Sequence, residues 1–459
     1  MKQLCQKTPE AIVAPSLAFV QAPSKSSLDK AAPANSSLSN DAGCFQKSPP
    51  AVYTEKDLRK IARIILSRAG IAESTPLKCV PHYSVRDHYA VTRVLRGESM
   101  WRLDSEGANR LVSTFREKIN PAKHLLATAT ATAGLHVAST YLIQKRGPRV
   151  LLPAWTWYGV AATVLNSGGI PVFIDIDPHT LRMVDFSDDL RCDFALVSHL
   201  FGVPSVNSEH LKWLRRRNIP LLEDCAQAVQ GSIDDNLKIG RLGAAAVYSF
   251  NGSKAIPAGE GGMIATNDDD LAKYFFNFTM SVTSPREVVI RRFNDASQGW
   301  NYRLSALAAS LSESLIHSLP KRIKTARNSC VTIQSLLANR PWLRAIGGQN
   351  RPDFAPLGCP TLLCRQATGL SLAESRAVLY FALRFAGFPV SVWVPDSIPD
   401  TKLLKNYGNT LITTSKHFAN AKSVADGHII FPTGAGAITG FRNKSRLDRV
   451  FDAFERLLG

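Results

Sequence analysis

Asp224 and Lys254 each stand just beyond a short apolar run, a placement that would bring a carboxylate and an amine to one crevice. The first run, Pro220–Leu222, ends in Glu223-Asp224. The second, Ala244–Phe250, leads to Lys254 and the glycine-rich Gly259-Glu260-Gly261-Gly262, and a third, Met263–Ala265, follows. All three have the length and the Gly or Pro flanks of buried strands rather than helices. In open α/β sheets ligands sit beyond the carboxyl ends of the strands, so side chains leaving adjacent strand ends face the same ligand. An amine and a carboxylate so placed suit pyridoxal phosphate. The amine grips the aldehyde, and the carboxylate keeps the ring nitrogen protonated so that the ring can accept an electron pair from a substrate. Taken singly, Lys254 reads as a loop lysine and Asp224 as the cap of a following helix. Taken together, with the glycine run behind them, they favour the cofactor.

The stretches Glu223-Asp224-Cys225-Ala226-Gln227-Ala228, Tyr248-Ser249-Phe250-Asn251-Gly252-Ser253-Lys254 and Gly259-Glu260-Gly261-Gly262 resemble motifs of a known family in type, order and spacing. That family is the DegT/DnrJ/EryC1/StrS aminotransferases, fold-type I pyridoxal-phosphate enzymes that make amino sugars and aminocyclitols. The resemblance runs from about Tyr89 to the C-terminus. It implies Lys254 as the catalytic lysine, Asp224 at the ring nitrogen, Gln227 at the ring hydroxyl and Ser249 at the phosphate. The Gly-Thr of the family falls on Ala131-Thr132, where the N–H groups and positive dipole end of a helix would take the phosphate; here an alanine replaces the glycine. Pro153-Ala154-Trp155-Thr156-Trp157 matches Pro-Ser-x-Thr-aromatic, which implies Trp157, in preference to Trp155, over the cofactor ring. Gly299-Trp300-Asn301-Tyr302-Arg303 matches Gly-x-Asn-Tyr-Arg. There the asparagine reaches the phosphate of the neighbouring subunit, implying a homodimer with shared active sites. His199-Leu200-Phe201-Gly202 matches a further tetrad, and His199 is expected to be structural. Val390–Asp396 departs from the family, because relatives carry a Tyr/Pro/Leu/His stretch there that helps hold the acceptor.

The elements that must position these residues follow from periodicity. Val150–Leu152, Pro171–Ile176 and Phe194–Leu200 read as strands alternating with helices, the pattern of a parallel sheet. The run Leu125–Val137 reads as a turn feeding a helix N-terminus. Glu55–Ala69 has the 3.6-residue apolar period and Gly70 as a stop, and two helices are expected between Tyr89 and Ile119. Gln227, one turn after Asp224, is expected to share a helix face with it. Past Lys321 we expect strands at Thr361–Cys364 and Gly387–Val394, a helix over Leu372–Phe385 opened by a Ser371/Glu374 capping box, and a last helix over Ser445–Leu458. The expected fold class is therefore α/β. A large domain (86–320) would hold a mostly parallel sheet flanked by helices, as in fold-type I pyridoxal-phosphate transferases, with a smaller C-terminal α/β domain (321–459). Residues 1–85 would form an N-terminal extension, disordered over Met1–Pro50, where Ser, Ala, Pro and Lys dominate.

Composition limits the other readings. The 459 residues are 45% hydrophobic and 20% charged, ordinary values for a globular chain, with no apolar run of the ~18–20 residues a membrane span requires. The 8 cysteines show no CxxC pair and no zinc spacing, so no metal is expected and reduced thiols in the cytoplasm are. A net charge of +18 could serve nucleic acid, but the basic residues are spread and no nucleic-acid motif is present. An anionic cofactor or substrate also suits the charge. The resemblance implies transfer of an amino group from glutamate or glutamine to a keto sugar, taken to be nucleotide-linked. A keto-cyclitol of the inosose type is the alternative acceptor, and a cofactor-binding regulatory or scaffold protein without turnover is the alternative class.

Overall fold

The computed structural model describes residues 53–76, 81–98, 100, 105–233, 237–279, 282–283, 292–293, 300–347, 354–405, 412–413, 418–433 and 444–458. The expected disorder of Met1–Pro50 and the position of Gly299 lie outside these residues.

Three helices come first: α1 (Glu55–Arg68), α2 (Val85–Leu95) and α3 (Glu106–Lys118). Thr54 with Asp57, and Ser84 with Asp87, close capping boxes that satisfy the free N–H groups at the starts of α1 and α2. Then strand and helix alternate: β1 (His124–Thr128), α4 (Ala131–Arg146), β2 (Arg149–Pro153), α5 (Tyr158–Asn166), β3 (Ile170–Ile174), β4 (Phe194–Ser198), α6 (Ser208–Arg216) and β5 (Leu221–Asp224). Next come β6 (Ala245–Ser249), β7 (Gly262–Thr266), α7 (Asp269–Thr279) and a small ribbon of β8 (Val282–Thr283) with β9 (Arg292–Phe293). The chain continues through α8 (Ala306–Leu337), β10 (Leu343–Ala345), β11 (Cys359–Leu363), α9 (Leu372–Phe385) and α10 (Lys402–Lys405). It ends with β12 (Ile412–Thr413), α11 (Ala419–Gly427), β13 (His428–Phe431) and α12 (Lys444–Glu455).

Among the described residues the main sheet has eight strands in the order β1-β7-β6-β5-β4-β2-β3-β12. β7 runs antiparallel to β1 and β6, and the other pairings are parallel. Helices cover both faces. On one, Leu135, Tyr141 and Leu142 of α4 pack with Val160 and Val164 of α5 and Phe275 of α7. On the other, Leu111 and Phe115 of α3 pack with Leu315 and Leu319 of α8. Strands buried on both faces need apolar side chains throughout, which is why β5, β6 and β7 appear as continuous runs rather than alternations. Gly134 lets α4 lie close against the sheet, since a Cβ there would come within 2.9 Å of Val247 Cγ1.

The antiparallel sheet β10-β11-β13 forms a second layer, covered by α9 and α12. α1 joins this layer: Leu58, Ala62 and Ile65 are buried in one cluster with Val378, Leu379 and Leu383 of α9 and Phe451 of α12. α1, the first helix among the described residues, thus completes the core of the C-terminal layer.

Several local expectations differ from the structure. Leu125–Thr128 is the strand β1 rather than a turn, because its backbone pairs with β7. No helix follows Asp224; Cys225–Gln230 is turn and bend. Gly387–Val394 is not a strand. Gly387 has φ 90°, Pro389 lacks a donor, and only Ser391 exchanges ladder bonds, with Ile430. α8 runs unbroken through Lys321 and contains Pro320.

Candidate active site

Asp224 and Ser249 close the parallel neighbours β5 and β6, and Lys254 lies in the loop after β6. The Asp224 carboxylate is buried and well supported. Oδ1 accepts the Ala226 N–H at 3.0 Å and Oδ2 accepts the Ser198 hydroxyl at 3.0 Å. Ser198, at the end of β4, in turn accepts the Thr156 hydroxyl at 2.9 Å. Burial raises the pKa of Asp224, opposed by these hydrogen bonds and by the charge of Lys254. Burial lowers the pKa of Lys254, opposed by Asp224 and Glu260. The two shifts share one cause, loss of water from around both charges, and each acid or amine partly offsets the cost for the other.

Glu223 and Asp224 divide the work between the two sheet faces. The fully buried Glu223 accepts backbone N–H groups from Gly240 at 2.7 Å, Leu242 at 2.8 Å and Gly243 at 3.2 Å. It also meets His199 Nε2 at 3.2 Å. The Ser205 N–H reaches His199 Nδ1 at 3.2 Å, so Nδ1 is the acceptor and Nε2 carries the hydrogen given to Glu223. His199, Glu223 and Cys225 lie close enough to hold a cation. Their oxygens and nitrogens are already used in hydrogen bonds that fold the 240–243 loop, so a structural role accounts for the cluster.

Gln227 Oε1 accepts the N–H of Phe201 at 2.8 Å. Phe201 is held at φ 55°, a left-handed conformation that a non-glycine residue adopts only at a cost. With its oxygen committed, Gln227 presents its amide nitrogen as a donor. It lines a cavity of about 310 Å³ together with Lys254, Phe201, Ser391, Trp393 and Thr433. Contact through Phe201, rather than a shared helix face with Asp224, is what fixes it.

The start of α4 and the end of β6 meet at Gly262. In the sheet, Gly262 pairs with Ser249 on one side and Thr128 on the other. A Cβ on Gly262 would come within 2.7 Å of the Ala131 nitrogen and 2.6 Å of Thr128 Oγ1. That close approach places the start of α4 beside the end of β6. Thr130 caps α4 by accepting the Ala133 N–H at 3.0 Å, and the first intrahelical bond runs from Gly134 to Thr130. The N–H groups of Ala131 and Thr132 precede that bond and point out of the helix end. Ala131 has ordinary helical geometry, so the missing glycine does not remove its donor.

Trp155 is 0% exposed and donates Nε1–H to the Val394 carbonyl at 3.1 Å, whereas Trp157, at the mouth of α5, is 38% exposed. The first is core; the second is the one available to a ring. Trp157 stacks on Trp393, centroids 5.7 Å apart at 26°. Asn301 is exposed at φ 54°, and the following Tyr302 carbonyl accepts the Ala129 N–H at 2.8 Å, pinning that loop beside the start of α4.

Three residues of this neighbourhood have no counterpart in the sequence motifs: Ser198, and Trp393 and Arg322, which line the cavity. The first could be found by noting that β4 and β5 end side by side. Trp393 and Arg322 carry no local signal. The residues fit pyridoxal phosphate: a lysine in the cavity, a supported carboxylate at the adjacent strand end, a donor amide at Gln227, and a helix start that only a glycine neighbour permits. Among the described residues no helix is long and apolar enough to cross a membrane, and the cysteines are free.

Comparison with known proteins agrees with this geometry. The chain is 34% identical over 193 residues to a GDP-perosamine synthase of Caulobacter vibrioides, covering 41% of this chain and 51% of the relative. It is 33% identical over 168 residues to an L-glutamine:2-deoxy-scyllo-inosose aminotransferase of Streptomyces lividus, covering 36% and 39%. The chain thus spans about half or less of the length of these curated relatives. The solved structure of Helicobacter pylori PseC, an aminotransferase involved in the biosynthesis of pseudoaminic acid, matches the fold with a TM-score of 0.71 at 17% identity, over 84% of this chain and 100% of that one. The family description "DegT/DnrJ/EryC1/StrS aminotransferase family" matches residues 83–442, most of the chain, and the chain is a member of that family.

Proposed function

We propose that this chain is a pyridoxal-phosphate-dependent aminotransferase that moves an amino group from glutamate or glutamine to the ketone of a sugar, taken to be nucleotide-linked, in amino-sugar biosynthesis. One observation carries the reading: Lys254 lines the cavity, and Asp224 closes the strand next to the one that leads to it. Bound pyridoxal phosphate supplies an aldehyde for the donor amine and a ring that stores the electron pair released at the donor α-carbon. Asp224 would hold a proton on the ring nitrogen, its carboxylate kept in place by the Ala226 N–H and the Ser198 hydroxyl. Lys254, its pKa lowered by burial, offers a neutral amine at lower pH than an exposed lysine does. That amine would anchor the cofactor and, once freed by the donor, would serve as the base that takes the donor α-proton and the acid that returns it. Gln227 orients the ring hydroxyl through its amide N–H, while Ser249 with the Ala131 and Thr132 N–H groups holds the phosphate. Trp157 covers one ring face and excludes water.

The Caulobacter relative supports a nucleotide-linked keto sugar as acceptor, and the Streptomyces relative supports a keto-cyclitol as the second reading. Trp300 is 53% exposed beside Asn301, an aromatic at the surface where a second copy would bring its own Asn301 toward the phosphate. A homodimer with shared sites accounts for it, in the cytoplasm with the other small-molecule substrates. The test is direct. The purified protein should be yellow, borohydride should fix the label on the Lys254 peptide, and glutamate should yield 2-oxoglutarate only when a suitable ketone is present. A colourless protein, or a label on another lysine, overturns the proposal. Cofactor binding without keto-acid release from any donor and ketone would favour the scaffold instead.

A further inference from the structure

α8 carries a group that none of the matched motifs accounts for. Arg322 is half-buried and lines the same cavity as Lys254. Its Nε donates to Ser318 Oγ at 3.1 Å and its Nη2 to the His82 carbonyl at 2.8 Å. Both acceptors are neutral. The acid that acts on it, Asp87, gives its oxygens to Ser84 and Ser314, and among the described residues no carboxylate forms an ion pair with Arg322. Burial works against the charge, lowering its pKa. A guanidinium held in place by uncharged oxygens, with its charge unmatched, is poised for an anion. The same segment that holds it is tied to the lysine loop, because the Tyr83 hydroxyl donates to the Pro257 carbonyl at 2.9 Å.

We propose that Arg322 is the anion-recognition residue of this cavity and takes a carboxylate of the amino donor presented to Lys254. The inference rests on the aminotransferase reading above and adds to it the group that selects the donor. The cavity wall favours a carboxylate over a phosphoryl group. Among the described residues that line it, Lys254 and Arg322 are the cations, no acid is present, and Phe201, Leu357, Trp393 and Ile430 make much of the rest apolar. Once Lys254 holds the cofactor, one guanidinium remains, which matches a single negative charge in bidentate geometry. A pyrophosphate would need further cations. Ser318 and His82 are positioning groups that hold the guanidinium at the cavity wall.

The test uses cofactor-loaded protein and two probes, glutarate, which has two carboxylates and no amine, and inorganic pyrophosphate, with binding followed by calorimetry. R322Q should weaken glutarate binding about 10- to 100-fold, the loss expected for charge-assisted hydrogen bonds. R322K should recover part of it, and pyrophosphate should be indifferent to either change. Equal glutarate affinity in R322Q and the parent overturns the proposal. Weakened pyrophosphate binding, with or without glutarate, assigns Arg322 to a phosphoryl-bearing acceptor and overturns the donor assignment. If R322Q does not fold, phenylglyoxal labelling of the parent decides: glutarate should protect the Arg322 peptide, and undiminished labelling overturns the inference. Because glutarate cannot donate an amine, this outcome is separable from failure of the aminotransferase reading, which would appear as no cofactor uptake or no keto acid from glutamate.

Discussion

Replacing Glu223 with glutamine should destabilise the protein by about 2–6 kcal/mol, although Glu223 is not among the residues lining the cavity. The carboxylate receives four hydrogens, from Gly240, Leu242, Gly243 and His199. A glutamine can keep its oxygen toward Leu242 and Gly243, but its NH2 then faces the Gly240 N–H and the His199 Nε2–H. Two buried donors lose their acceptor, at about 1–3 kcal/mol each. His199 cannot relieve this by moving its hydrogen to Nδ1, because that nitrogen already accepts from Ser205. E223A orphans all four donors and leaves a void, for roughly 4 kcal/mol or more. Equilibrium urea unfolding of cofactor-loaded protein measures both, and the midpoint should fall with little change in slope. If both variants stay within about 1 kcal/mol of the parent, the reading of Glu223 as the anchor of the 240–243 loop is wrong.

Three further outcomes follow from the site. D224N, which retains its bonds to Ala226 and Ser198 far better than it retains charge, should lower amino transfer by about two orders of magnitude or more while the protein melts near the parental temperature, and near-parental turnover would refute the role of Asp224. G262A should weaken cofactor binding, because the new methyl lands 2.7 Å from the Ala131 nitrogen and must push the start of α4 away; at about 1–3 kcal/mol the loss is visible in a cofactor titration, and unchanged affinity would dissociate α4 from the phosphate. The third concerns acid stability. His428 takes the Trp393 N–H on Nε2 at 2.9 Å, and burial, aided by Arg376, pushes its pKa down to about 4. A folded pKa below the unfolded value of about 6.5 means full stability above that value and loss as pH falls toward 4, by roughly 3 kcal/mol at about 1.4 kcal/mol per unit. Unfolding midpoints measured from pH 7 to 4 should show this slope in the parent and lack it in H428Q.

Much of the scaffold was legible in local patterns. The runs that became β5, β6 and β7 announce burial on both faces, and Ser371 with Glu374 forms the expected capping box, the Glu374 N–H reaching Ser371 Oγ at 3.2 Å. α1 and α9 fall within a residue of their apolar periods. Such features depend on neighbours a few positions away, so sequence alone carries them. The strand at Gly387–Val394 failed for the complementary reason. Its backbone partner is a single residue of β13 and its Trp393 N–H goes to a side chain, neither of which is written locally.

The chain's residues alone determined that an acid and a lysine would leave neighbouring strand ends, that a helix would start near Ala131, and that the family's cofactor motifs are present. Tertiary structure decided which acid is taken up by the 240–243 loop. Adjacent strand residues point to opposite faces, so one of Glu223 and Asp224 had to turn toward the 240–243 loop, and the pairing of β5 with β4 and β6 chose Glu223. It also decided that Gln227 bonds to Phe201, that Trp157 rests on Trp393, and that Arg322 and Lys254 line one cavity. Those pairs lie tens to hundreds of residues apart, and chain closure, not local propensity, brings each together.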